Sequence, residues 1–473
     1  MKLFRVVPSF FLLLGTANIA IAADQNGYTA QYECRAGNPR CDVDVAALVA
    51  RPCDQIITPG TPWSTINWSN NTICIAAGDH SAKGPITLGS SGTASSRKVL
   101  RYYNASDTGL APWAQSASQR ATLERIVFDG ADNWVVHRLT FDSRGYYGGV
   151  RFERNSASNN NVLDRVLVQN QNASLVHFEQ GNSYNTLQNS VIRNSVVSGA
   201  ESNCVELGAS PGTRIVNNEI YDCNKAISAG SGNPTLLGVR IENNDLYVSP
   251  AIYSDCNGNY TPSNTNSPCA ANEAIISLKA GGDYSNPTYI IHNRLWGARN
   301  GDGVLLGPVN TGEAPGISVS NDINSSGTPL YNGADYLLIR DNVIWDMQAG
   351  IANWWGVPDH VSIIGKLFYD IRTFQNSFTS YAIRLNEISN FEIYFNTIIN
   401  TKAWFLFGYN VANSDIRCNV ILDGGERNGG ASGSSVVDNN AFYNTAPYTL
   451  NGSSALSYND SASAQHTEFC FNR

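Results

Sequence analysis

From about residue 130 onward the chain repeats one short phrase: Asn or Asp, any residue, then two apolar or aromatic residues. It reads "DRVL" from Asp164, "NSVI" from Asn189, "NEIY" from Asn218, "NDLY" from Asn244, "NRLW" from Asn293, "DNVI" from Asp341, "NTII" from Asn396 and "NVIL" from Asn419. The first four intervals are 25, 29, 26 and 49 residues, a period near 25 with one doubled step. A second set is interleaved: "GVRFE" from Gly149, "LVHFE" from Leu175, "CVELG" from Cys204, "AISAG" from Ala226, "AIISLKAG" from Ala274, "GVLLG" from Gly303, "GIANWW" from Gly350 and "AIRLN" from Ala382. These segments are short, β-branched and bounded by Gly and Asn, without the 3.6-residue apolar spacing of helical repeats. Each period therefore carries at least two strands, which predicts a parallel β-solenoid of about ten or more coils. One coil cannot bury its own inward residues, whereas stacked coils pair every strand with its neighbours at about 4.8 Å. The recurring Asn is expected at corners, where it tolerates the left-handed conformation and can stack into a ladder of amide hydrogen bonds.

The ends of the chain read differently. "MKLFRVVPSFFLLLGTANIAIAADQ" has Lys2 and Arg5, an apolar run from Val6 to Leu14, and Ala20 and Ala22 in an A-x-A arrangement. That pattern predicts a signal peptide over residues 1–22, its apolar core being too short to span a bilayer. Residues 23–75 are assigned to an N-terminal cap region, 76–425 to the solenoid and 426–473 to C-terminal coils and tail. "CDVDVAALVARP", Cys41 to Pro52, has helical spacing and is expected to cap the open N-terminal end. The cysteine count is even, ten, all of them after the signal, which favours disulfides in an exported chain. The preferred pairing is sequential: Cys34 with Cys41, Cys53 with Cys74, Cys204 with Cys223, Cys256 with Cys269, and Cys418 with Cys470.

Only 15% of residues are charged and the net charge is -8, so the surface must rely on Asn, Ser and Thr. Nucleic acid is excluded as a partner for want of a basic excess, and no later segment is apolar enough to cross a membrane. A soluble, monomeric, secreted or periplasmic protein is expected. Against that sparse background the outward positions of the second strand set collect charge: Arg151 and Glu153, His177 and Glu179, Glu206, then Ser228, then Ser277 and Lys279, and later Arg384. A polar groove of this kind suits an extended polymer bound across several coils. His177 can serve as acid or base, and Trp354 and Trp355 can stack on sugar rings.

"TICIAAGDHSAKGPITLGSSGTASSRKVLRYYN", Thr72 to Asn104, resembles the opening of secreted right-handed parallel β-helix polysaccharide lyases, a likeness of fold that covers residues 60 to 425. "NEAIISLKAG" is similar to the catalytic rung of the alginate lyase and chondroitinase B family, with Lys279 at the position of the lysine base. The resemblance implies removal of the C5 proton of a uronic acid residue, an assisting arginine one coil later, and calcium that neutralises the substrate carboxylate. The family's Glu-x-Glu positions fall on Asn272 and Ala274, with Glu273 between them, and its arginine position falls near Leu305, leaving Arg299 or Arg294 to supply the cation. Glu201, Glu206, Asp222 and Glu273 are the acidic residues that approximate the calcium set of pectate lyases. Lysine suits the work because a nearby cation and partial burial bring it toward neutrality. Arg151, Lys279, Arg299 and Arg384 are then expected on one face, opposite an acidic polysaccharide. Two competitors remain: a glycoside hydrolase using paired carboxylates such as Glu206 with Glu153 or Asp302, and a binding or adhesive solenoid without catalysis. The polygalacturonase strings "NTD", "GHG" and "RIK" are missing, as are the pectin methylesterase motifs.

Overall fold

The computed structural model describes residues 43–106, 109–142, 148–171, 174–195, 203–229, 235–249, 274–299, 305–306, 315–320, 333–353, 356, 358–371, 381–386, 388–401, 404–409, 412–422, 436–438 and 440–443. Short strands of two to six residues stack in parallel into three long sheets, here sheet A with 14 strands, sheet B with 13 and sheet C with 11. A typical coil runs through Arg214–Val216 in sheet A, Glu219–Tyr221 in sheet B and Lys225–Ala229 in sheet C, and then re-enters sheet A at Arg240–Glu242. The chain is a right-handed parallel β-helix, the hand that parallel crossovers of L-residues favour.

Alternation within each strand builds the interior. Ile215, Ile220 and Ile227 of that coil are fully buried and stack on Leu187, Ile192 and Val205 of the coil before it. On sheet C the inward Phe128, Phe152 and Phe178 are stacked, with centroids 4.3 and 4.7 Å apart. A fully buried side chain of this size is worth roughly 2–3 kcal/mol, and stacking repeats it coil after coil.

The corner from sheet A to sheet B takes two residues, and they do different work. The first is left-handed: Asn217 (φ 57°), Asn243 (56°), His292 (57°), Asp341 (51°) and Cys418 (57°). The second is the ladder residue: hydrogen bonds of 2.8–3.0 Å run from Asn218 to Asn244, on to Asn293 and on to Asn342, and further along from Asn396 to Asn419 and on to Asn440.

The long intervals are single coils with long connections. Sheet A steps from Arg240–Glu242 to Thr288–Ile291 to Leu337–Arg340 without a missing rung, so two consecutive steps, not one, are lengthened. The additional residues lie on either side of sheet C, between Tyr247 and Ile276, between Arg299 and Pro315, and between Val319 and Leu337. "GVLLG" is not a rung: Leu305–Leu306 pairs antiparallel with Ala298–Arg299 in a separate ribbon, and Pro315–Val319 supplies the sheet C strand of that coil.

The expected helix forms over Val45–Val49, with Asp44 Oδ1 accepting the Ala47 N–H at 3.0 Å. It lies on the flank of the N-terminal coils, with Val43, Val45, Leu48 and Val49 against the outward Val99, Val135 and Val162. The interior is closed by the connection between Gln55–Ile57 and Thr72–Ala76, where Ile66 joins the core and Trp63 and Trp68 pack against it. Sheet A thus begins at Gln55–Ile57, ahead of residue 76. Cys53–Cys74 and Cys204–Cys223 are bonded as expected. Cys418 is also disulfide-bonded, while Cys34, Cys41, Cys256, Cys269 and Cys470 lie outside the described residues. Among the described residues no helix is long and apolar enough to cross a membrane.

Candidate functional site on the outward face of sheet C

Strand register places the outward residues in one column: Val127, Arg151, His177, Glu206, Ser228, Ser277, Ser318, Ala352 and Arg384, each beside the next. A second column two residues further along each strand holds Glu153, Glu179 and Lys279. The charged column expected from alternation is therefore real.

The coils of Arg151, His177 and Glu206 form a linked row. Arg151 lies 3.2 Å from Glu153 and donates to Glu179 at 3.0 Å. Glu179 Oε1 faces His177 Nδ1 at 3.6 Å, and Glu206 Oε1 faces His177 Nε2 at 4.0 Å. The other Glu206 oxygen accepts a hydrogen bond from the Ser174 hydroxyl. All five charged or imidazole side chains are half-buried, between 19 and 31% exposed, so the row can meet both solvent and ligand. Arg151 is engaged by two carboxylates, which makes it an orienting group for Glu179 rather than an open anchor. Ser174 escaped sequence reasoning because it precedes its strand and has no place in the alternation.

Lys279 also stands on the outward face of sheet C, with Ser320 beside it in register and Ser228, Ser277 and Ser318 in the neighbouring column. It stands three coils beyond His177, about 14 Å at 4.8 Å per coil. His177 and Lys279 therefore stand too far apart to act on one sugar residue. Arg384 stands three coils beyond Lys279, its guanidinium over the Tyr381 ring at 5.4 Å.

The remaining assignments divide. Arg299 leaves the face, its backbone being in the two-stranded ribbon, and Arg294 projects from sheet B in a forked pair with Asp245, so neither lies on sheet C to assist Lys279. Asp222 sits at the corner after sheet B. Its carboxylate accepts from Ser249 N–H and Oγ–H, both at 2.7 Å, and burial pushes its pKa up despite those bonds. Glu206 is turned to Ser174 and His177, so the described half of the calcium set does not converge, and among the described residues no group of three potential ligands is placed to hold a metal. Glu201, Glu273, Asp302, Trp354 and Trp355 lie outside the described residues.

No family model matches the chain, and no curated protein matches its sequence. Similar solved structures include a mannuronic acid specific polysaccharide family 6 lyase from human gut microbiota, at 12% identity over 86% of this chain and 83% of that one, TM-score 0.47. The Streptococcus pneumoniae surface protein and adhesin PfbA aligns at 13% identity over 82% and 91%, TM-score 0.46. The catalytic unit of a GH87 alpha-1,3-glucanase from Streptomyces thermodiastaticus strain HF3-3 aligns at 12% identity over 82% and 62%, TM-score 0.42.

Proposed function

We propose that the protein is a carbohydrate-active β-helix enzyme that binds a uronic-acid-containing polysaccharide along sheet C and cleaves it by β-elimination, with Lys279 as the base. The observation that carries this reading is the place of Lys279: a half-buried lysine on the outward face of sheet C, two residues after Ser277 on its strand and one coil before Ser320, on the same face as Arg384. In the reaction the Lys279 amine takes the C5 proton, the electron pair forms the C4–C5 double bond, and the C4–O bond breaks to release a chain end that is protonated from solvent. Arg384 and Lys279, on one face of a chain with net charge -8, supply the local attraction an anionic polymer needs.

A second reading has its own observation. The Glu179–His177–Glu206 row puts two carboxylates around an imidazole and is acidic overall, which suits hydrolysis of a neutral glycan better than contact with uronates. One experiment separates them: purified protein is offered alginate, pectate, chondroitin, hyaluronan, glucuronan and neutral glucans, with calcium and with chelator. Ultraviolet absorbance of the unsaturated product and new reducing ends are both followed. Elimination predicts an absorbance rise that Lys279→Ala lowers by about 100-fold or more. Reducing ends without absorbance, lost in Glu206→Gln and kept in Lys279→Ala, would replace the lyase with the hydrolase. Neither signal would leave the binding solenoid.

A further inference from the structure

Between Asn218 and Asn440 every described ladder position is Asn except one, Lys366. Its backbone N–H donates to Asn396 Oδ1 at 2.9 Å, as an asparagine's would. Its side chain, however, offers no acceptor to the preceding rung: Asn342 Nδ2 keeps the bond to Ile290 O at 2.8 Å that Asn244 and Asn293 make to their own preceding coils, but with no ladder oxygen to meet it donates otherwise only to Arg340 O at 3.0 Å. The Lys366 amine is enclosed, 1% exposed, with one long hydrogen bond of 3.4 Å to Ile364 O. Every other step between these described Asn rungs gains side-chain amide bonds; the step from Asn342 to Lys366 loses them and encloses an ionisable group that water would solvate better.

We propose that Lys366 marks a protonation-sensitive boundary in the solenoid, so that the coils from Val361 onward open as a unit separate from the coils before it. Solenoid stability is a sum of coil terms and neighbour-interface terms, so one weak interface divides cooperative opening at that point. Two charged groups act on the amine, both from the preceding coil: Asp341 favours its charge and Arg340 opposes it. The following coil presents Asn396. Burial outweighs both and holds Lys366 well below the ordinary lysine range. An opened chain takes up the proton more readily than the closed one. Opening therefore grows easier as pH falls from the free-lysine value of about 10.5 toward the lowered folded value, and harder as pH rises through that window. The boundary falls within the polymer face, leaving Arg384 on the opening unit and Arg151 through Lys279 on the fixed one, and it holds whatever chemistry the face performs.

Amide hydrogen exchange on the full-length protein tests this, at about pH 7 and about pH 9 with intrinsic rates corrected. Segment 361–422 should open about tenfold or more readily than segment 214–247 near neutrality, and the gap should narrow at the higher pH. Lys366→Asn should close the gap at both values. Lys366→Met, which cannot ionise, should lose the pH dependence while keeping part of the gap, and it serves if the Asn variant does not fold. Equal exchange of the two segments in the wild type, or a pH dependence that survives in Lys366→Met, would overturn the proposal.

Discussion

Neighbouring corner residues can be told apart by substitution. Asn293 is wholly buried and joined to Asn244, Asn342 and Ile241, so Asn293→Ala strands several buried polar groups; urea unfolding should show a loss of about 2–4 kcal/mol. Asn243, one position before Asn244, has only to tolerate a left-handed backbone, and Asn243→Gly should change stability by less than about 1 kcal/mol in the same assay. The recurring Asn was legible in the sequence, but the two roles were read as one, because in "NNE" and "NND" both positions are Asn. The left-handed position accepts His292, Phe395 and Cys418, which no motif search would group. His80 offers a test of pH. It is buried, with Nε2 bonded to Ala76 O at 2.9 Å and Nδ1 to Lys83 Nζ at 2.9 Å, while Asp79 lies beside it. Burial, with Lys83 adding to it, pulls its pKa below the usual histidine value. The folded state thus binds the proton less readily than the unfolded one. Stability should be full above about pH 6.5 and decline as pH falls below it, and His80→Gln should remove that component of a thermal-unfolding pH series.

At the level of elements, alternation and stacking were readable wherever a strand was an ordinary rung. The outward column from Arg151 to Arg384 follows because a parallel register keeps outward residues beside outward residues through every coil. Reading failed where a strand-like phrase lay in a connection: "GVLLG" is as apolar as a rung, and only the competing Pro315–Val319 shows that it pairs elsewhere. The helix failed differently, since its apolar stripe could cover an end or a flank, and the outward valines at positions 99, 135 and 162 offered the better match. The Cys53–Cys74 disulfide closes 21 residues and anchors Gln55–Ile57, a strand with one neighbour in its sheet. Replacing both cysteines by Ala should cost about 3 kcal/mol and expose the first coil to limited proteolysis before the rest of the solenoid.

On the scale of the whole molecule, the proposed reading requires a protein with net charge -8 to attract an anionic polymer through a few cations on one face. Binding of such a polymer should weaken as salt rises toward a molar, and Lys279→Ala and Arg384→Ala should each flatten that dependence in a titration series. A neutral ligand would bind without the salt effect. The repeat of apolar pairs and asparagines was enough to specify a parallel solenoid and the outward face of sheet C, because period and alternation are local properties that stacking merely copies. Distances along the solenoid axis are not local. The number of coils between His177 and Lys279, the departure of Arg299 from sheet C and the enclosure of Lys366 depend on which segments became rungs and which became connections. That was settled by competition for pairing partners across 20 to 50 residues, and so appeared only once the coils were stacked.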